Sequence, residues 1–345
     1  MSGHFDDTTV DRLCQLVRDD APADSRYQIA EQIGQGGMGT VYRAEDLALG
    51  RPVAMKVLRD GGMSADSMDR ILREARVIAR LEHPGIVPVH DAGRLPDGRV
   101  YYIMKLVNGR RLDEYADSSA TLHERLRVFE RVCETVAFAH ARGVIHRDLK
   151  PQNVMVGEFG EVLVLDWGVA KVTRELIGQS PVGVPDLCDS KADARETAHG
   201  TILGTPAYMP PEQARGEIEQ IDERSDVFAL GGVLHFLLTG KPPRTASSYA
   251  AAEHALVPPR QRNRNVPRRL ESTCMKALSA NPAQRYASAA EFAADIARFL
   301  NGQAVLAHKE GFFERIARWA WWYRAPILIV GAYLLMRSLL ILWQR

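Results

Sequence analysis

The chain has 345 residues, with 44 Lys+Arg against 43 Asp+Glu, which is length enough for an ordinary core and two lobes or domains. The near-zero net charge lacks the basic excess that phosphate-backbone binding favours, so no nucleic-acid partner is expected. Cys14, Cys133, Cys188 and Cys274 are widely spaced without a CxxC pair, which argues against a disulfide framework or a zinc site and reads as reduced thiols.

Residues 1–26 form an acidic N-terminal extension without a cationic start and apolar core, so no secretory signal is expected and the start of the chain is placed inside the cell. Residues 29–58 alternate apolar and polar positions around a "LALGRP" turn, which predicts antiparallel strands. Residues 66–82 change to helical spacing, with Met68, Ile71, Leu72, Ala75, Ile78, Ala79 and Leu81 on or near one face, and His83-Pro84 ends the helix. Strands follow at "IVPVHDAG" and "VYYIMKLV". Beyond Asn108-Gly109 the pattern becomes mainly helical, in "LHERLRVFERVCETVAFAHARG" and "SDVFALGGVLHFLLTG". Strands followed by helices predict an α+β protein in two lobes joined near residues 105–109. Residues 172–203 read as a long loop.

From Ala325 to Trp343 the only charge is Arg337, and "WAWWY" at 319–323 stands ahead of that run. A basic and aromatic segment at 301–324, then an apolar stretch of about one bilayer crossing, reads as a C-terminal transmembrane helix with its cationic flank in the cytoplasm. The competing reading is a buried or interfacial helix, which a central arginine favours.

Two stretches carry the chemistry. "GQGGMG" at 34–39 fits G-x-G-x-x-G, a spacing shared with dinucleotide-binding folds. A helix should follow directly in those folds, whereas "TVYRAEDLALGRPVAMKVL" alternates as strand and turn. A glycine-rich hairpin laid over phosphates remains, with Lys56 on the next strand. "HRDLKPQN" at 146–153 crowds a histidine, cations, an aspartate and an asparagine between strand-like runs. Charge so concentrated is either a solvated turn or a built site.

The ordered set of motifs resembles the eukaryotic-like (Hanks-type) serine/threonine protein kinases, of the bacterial membrane-anchored type, over residues 27–300. It runs Gly34-x-Gly36-x-x-Gly39-x-Val41, "VAMK" with Lys56, Glu74 in the following helix, "HRDLKPQN", "DWG" at 166–168, "GTPAYMPPE" at 204–212 and Asp226 in "SDVFALG". The resemblance implies a bilobal protein-kinase fold, an N-lobe antiparallel sheet with one helix over a mainly helical C-lobe. It implies transfer of the ATP γ-phosphate to protein Ser/Thr hydroxyls. Asp148 would accept the hydroxyl proton, Lys150 would neutralise the transferred phosphoryl, and Asn153 and Asp166 would hold Mg²⁺. Lys56 would bind phosphates and pair with Glu74. The nucleotide would lie against Ile33, Gly34, Gln35, Gly36, Gly37, Met38, Gly39, Thr40, Val41, Ala54, Met104, Lys105 and Val107.

By the same resemblance Asp226 braces the catalytic loop, although alone it would read as a helix N-cap, and Arg285 pairs with Glu212. Thr197 and Thr201 are candidates for activating autophosphorylation answered by Arg147, and Thr205 for contact with Asp148 and Lys150. Trp167 replaces the phenylalanine of DFG, and Pro210-Pro211 stands at the alanine of APE. The arginine-rich run at 258–269 reads as a solvated loop, with a docking patch as its rival. The expected partners are protein substrates, the membrane, and a second copy for phosphorylation in trans. The expected location is the cell membrane, single-pass, with the kinase domain cytoplasmic. The competing functions are a pseudokinase, which should lack Lys56, Asp148, Asn153 or Asp166, and a small-molecule kinase, which "GTPAYMPPE" disfavours.

Overall fold

A computed structural model describes residues 26–36, 39–58, 77–118, 120–167, 171–172, 206–244 and 256–309, with Gly311 and scattered positions between 329 and 343. Five strands, β1 (Tyr27–Gly36), β2 (Gly39–Asp46), β3 (Arg51–Leu58), β4 (Val89–Arg94) and β5 (Val100–Lys105), form an antiparallel sheet in the order β1-β2-β3-β5-β4. The alternation that predicts these strands also sorts their faces, because successive side chains point to opposite sides. Val41 lies opposite Lys56, Lys56 opposite Tyr102, and Ala54 opposite Met104. These five residues therefore share one face. The other face carries Ala44, Val53, Met55, Val57 and Ile103, which close over Tyr27 as the core of this lobe. Burial of each larger side chain there contributes about 1.5–3 kcal/mol.

The glycine motif is the β1–β2 hairpin, with Gly34 opposite Val41, Gln35 opposite Thr40 and Gly36 opposite Gly39. A Cβ on Gly39 would stand 2.3 Å from the Val57 carbonyl oxygen, so glycine is what allows β2 to pair with β3 at this point.

Of the helix expected at 66–82, residues 77–79 are described and helical, while 66–76, including Glu74, lie outside the described residues. The helix ends earlier than expected. The residue before a proline avoids the helical region, and His83 instead accepts the Gly85 N–H on Nδ1 at 3.0 Å. Its ring packs on Phe138 at 4.6 Å. Ile86 then pairs in parallel with Val164, joining this corner to the second lobe.

That lobe is built on α1 (Leu112–Ala116), α2 (Leu122–His140), α3 (Pro211–Ala214), α4 (Glu223–Thr239), α5 (Pro259–Arg262), α6 (Arg268–Ala277) and α7 (Ala289–Leu300). Thr121 and Glu124 form a capping box at the start of α2. Helix α4 is buried all round from Ser225 to Leu238, the mark of a central helix. It ends at Gly240, whose φ of 70° suits glycine at a helix C-terminus. Its N-cap is Asp222, which accepts the Arg224 N–H, so the N-cap reading of Asp226 is corrected. The run at 258–269 is corrected in part: α5 and the first two residues of α6 fall within it, while 263–267 between them is loop.

Short strands also occur in this lobe. β6 (Gly109–Arg111), β8 (Val154–Gly157) and β9 (Val162–Val164) make one sheet, and β7 (Val144–Ile145) pairs with β10 (Lys171–Val172). Strands this short carry too little periodicity to be read from sequence. Residues 1–25 and 173–205, with Thr197, Thr201 and Thr205, lie outside the described residues, as does most of 325–343. Among the described residues no helix is long and apolar enough to cross a membrane.

Candidate active site

The charged run at 146–153 is a built site. Its base is the buried Asp226 on α4, which receives the His146 N–H at 2.7 Å, the Arg147 N–H at 2.8 Å and His140 Nε2 at 2.8 Å. Because an ionised carboxylate only accepts, His140 must carry its proton on Nε2. Burial would raise the Asp226 pKa, but the His140 and His146 donors outweigh it and hold the pKa below the ordinary aspartate value. His146 is fully buried, and that burial lowers its pKa. The neutral ring bridges Asp148 N–H, on Nδ1 at 3.3 Å, and the Leu165 carbonyl, from Nε2 at 3.0 Å.

On this base stand the polar side chains. Lys150 Nζ donates to Asp148 Oδ2 at 2.7 Å, and Asn153 Nδ2 donates to the same oxygen at 3.1 Å and to the Asp148 carbonyl at 2.7 Å. Asp148 Oδ1 has no donor among the described residues. The β8–β9 hairpin begins one residue after Asn153 and ends two before Asp166, and Leu165 N–H bonds the Asn153 carbonyl at 2.8 Å. That closure brings Asn153 and Asp166 to the same end of the hairpin.

Asp166 Oδ1 receives Lys56 Nζ at 2.5 Å, which ties the first lobe to the second. The Lys56 ammonium also lies 5.8 Å from the Tyr102 ring centroid. Burial would lower the Lys56 pKa, but Tyr102 and Asp166 outweigh it, so the lysine stays a cation. Among the described residues the non-glycine positions with positive φ are Arg147 at 67° and Asp166 at 48°. Such strain persists where surrounding contacts over-determine it, and it gathers at functional sites.

Trp167 is buried, with its ring 4.8 Å from His146 and its Nε1–H donated to the Val164 carbonyl at 3.2 Å. A phenylalanine there could make the first contact but not the second. Behind the site, Arg285 Nη1 and Nη2 meet the two oxygens of Glu212 at 2.7 and 2.8 Å, and Ser225 adds a bond to Glu212 at 2.8 Å. Burial would raise the Glu212 pKa, but these donors hold it down.

The nucleotide residues expected from sequence line the first lobe's slot in part. Ala54 is buried, Ile33 is 47 % exposed, and Gly34, Gln35, Thr40 and Val41 lie on the two arms of the hairpin. Met104 and Lys105 close β5, and Val107 follows it. Gly37, Met38 and Glu74 lie outside the described residues. Sequence reasoning missed Tyr102, His140, and Gln213, whose Nε2 holds the Arg147 carbonyl at 3.1 Å. A histidine on the buried face of an amphipathic helix was the one available signal for His140. Its partner is 86 residues away.

The protein kinase domain family matches residues 27–295. Serine/threonine-protein kinase PknB of Mycolicibacterium smegmatis is 38 % identical over 290 residues, covering 81 % of this chain and 44 % of the relative. PknD of Chlamydia muridarum is 36 % identical over 332 residues, covering 88 % of this chain and 34 % of the relative. The chain thus spans under half the length of these curated relatives. The crystal structure of the Mycobacterium tuberculosis PknI kinase domain is similar with a TM-score of 0.60 at 26 % identity, covering 79 % of this chain and 96 % of that one. On the match over residues 27–295 and these identities, the chain belongs to the protein kinase domain family.

Proposed function

We propose that the chain is an ATP-dependent serine/threonine protein kinase, held at the membrane by residues 325–343 with its catalytic domain in the cytoplasm. The observation that carries the reading is the convergence of Asp148, Lys150 and Asn153 on one hairpin end with the Lys56–Asp166 pair. Phosphoryl transfer asks for positioning and fixed charge, and these groups supply both. The relatives named above, serine/threonine kinases by name, support this substrate class.

Asp148 accepts the proton of the substrate hydroxyl, and Oδ1 is the oxygen free to take it. Lys150, already bonded to Asp148, neutralises charge on the transferred phosphoryl. Lys56 holds the α and β phosphates and pairs with Glu74. The donor set fits magnesium: Asn153 commits its Nδ2 to Asp148, which leaves its amide oxygen as a hard ligand beside the Asp166 carboxylate. Mg²⁺ bound to Asn153 and Asp166 would offset charge on the phosphates. The nucleotide rests on the sheet face of Val41, Ala54 and Met104 beneath the glycine hairpin. Autophosphorylation at Thr197 or Thr201, answered by Arg147, raises activity.

ADP release with and without a generic basic protein tests the reading. Release stimulated by the protein is expected. Nucleotide binding without release would make the chain a pseudokinase, and release indifferent to every protein offered would favour a small-molecule substrate.

A further inference from the structure

We propose that Arg262 at the end of α5, Arg264 on the turn after it and Arg268 at the head of α6 form a docking face for an anionic lipid surface. This face seats the kinase domain beside the point where the chain leaves for its anchor. The inference rests on the anchor reading above.

Residues 256–270 contain Arg260, Arg262, Arg264, Arg268 and Arg269 and no acidic residue. Arg269 is occupied, with Nη1 on the Gln303 carbonyl at 3.3 Å and its guanidinium 5.3 Å from the Phe299 ring centroid. Among the described residues no ion pair engages Arg260, Arg262, Arg264 or Arg268, whereas Arg26, Arg99, Arg127 and Arg215 elsewhere on the surface each have a carboxylate partner. The turn that presents them is fixed. Asn263 Nδ2 bonds the Leu238 carbonyl at 3.1 Å, its Oδ1 accepts Asn265 N–H at 3.1 Å, and Val266 is buried. Arg260 is half-buried, with its Nε shielded from solvent and its backbone N–H on the Glu271 carboxylate at 3.0 Å. The face is therefore carried by Arg262 at the end of α5 and by the exposed Arg264 and Arg268, which have no ion-pair partner among the described residues.

The path of the chain gives this face its partner. After α7 the backbone is pinned by the buried Asp295, which accepts Leu306 N–H at 2.6 Å and Ala307 N–H at 3.1 Å. His308 Nδ1 then meets Ser272 Oγ at 3.0 Å. Ser272 is four residues after Arg268 on α6, so the two share a helix face one turn apart. The described chain thus passes α6 at Ser272, one turn from Arg268, and Leu306 just before it is 72 % exposed. Lys309, Arg315, Arg318, Arg324 and the aromatic run at 319–323 follow before the apolar stretch. An anionic leaflet attracts such a cluster within a Debye length, and an exposed leucine suits the interface. Seated this way, the domain keeps a fixed face to the membrane.

The test uses the full chain in phosphatidylcholine vesicles with and without phosphatidylglycerol, read by amide hydrogen exchange over residues 258–270. Exchange should slow about tenfold with phosphatidylglycerol, and both high salt and R264E/R268E should abolish the difference. Equal exchange in both vesicle types, with the chain retained, would overturn the face and leave the anchor standing. Slowing by polyglutamate but not by phosphatidylglycerol would also overturn it and assign the face to an acidic protein. Release from both vesicle types by carbonate would defeat the anchor instead. The face would then be judged by sedimentation before the wash: salt-sensitive retention on phosphatidylglycerol alone upholds it, and equal retention on both overturns it.

Discussion

Two charged clusters in this chain use the same residue types and differ in how fully they are satisfied. At Glu212–Arg285 both side chains are buried, and every guanidinium nitrogen has an acceptor: Glu212, and the carbonyls of Arg224, Ser279 and Ala280. At the candidate site, Asp148 and Asp166 are each 39 % exposed, and Asp148 keeps an oxygen without a donor. The first cluster is closed and can only hold the fold. The second retains acceptor capacity and strained backbone, which suits groups that act on something else. Substitutions should therefore divide cleanly, with turnover lost at the open cluster and stability lost at the closed one.

The largest expected effect is on turnover. Asp148→Asn removes the proton acceptor and should lower kcat by about 10²–10⁴-fold, and Asp166→Asn, which removes a metal ligand, should abolish turnover. Asp148→Asn should melt within a few degrees of the parent, because it opens no cavity, whereas Asp166→Asn also leaves the buried Lys56 ammonium without its carboxylate and should lower Tm as well. Steady-state ADP release and calorimetry on the same samples check this, and a large fall in Tm for Asp148→Asn would break the division. Next comes Arg285→Met, which leaves the Glu212 carboxylate buried and unpaired and should cost about 3–5 kcal/mol in denaturant unfolding. The double change Glu212→Met/Arg285→Met should recover part of that loss.

Trp167 sharpens the comparison, since it is buried like the closed pair yet adjoins Asp166. Trp167→Phe keeps the ring against His146 and drops the bond to Val164, at a cost of about 1 kcal/mol. If that bond helps hold Asp166 toward Lys56, the fall in kcat at saturating ATP should exceed what the small stability change explains, and an unchanged kcat would confine Trp167 to packing. The smallest effect is with pH. Burial lowers the His146 pKa, so the unfolded chain binds that proton more readily. The His146 contribution is complete above the unfolded value of about 6.5 and is lost as pH falls through the folded value. Asp226 and Glu212, also lowered, add a second loss below about pH 4. Tm measured from neutral to acid pH should fall in these two stages.

What sequence could convey follows from range. The strands of the first lobe and α2 have long periodicities, α4 is a long apolar run buried all round, and the site residues stand in short runs in a fixed order. Short strands such as β7 and β10 depend on partners elsewhere in the chain and leave no local trace. The brace by Asp226 was legible only through the resemblance, and its His140 partner not at all, because Asp226 meets His146 across 80 residues and His140 across 86. Arginine density at 258–269 suggested a solvated loop, with a docking patch as its rival, and could not show the ordered turn, because the buried Val266 and the bond from Asn263 to Leu238, which set its shape, lie outside any periodic pattern.

The most direct test of the central claim, that the open cluster transfers phosphate to serine and threonine, is phosphosite mass spectrometry of the full chain incubated with Mg-ATP beside its Asp148→Asn variant. The account expects phosphoserine or phosphothreonine on the parent, including Thr197 or Thr201, and none above background on the variant. Equal phosphate on both chains, or none on the parent, would contradict it.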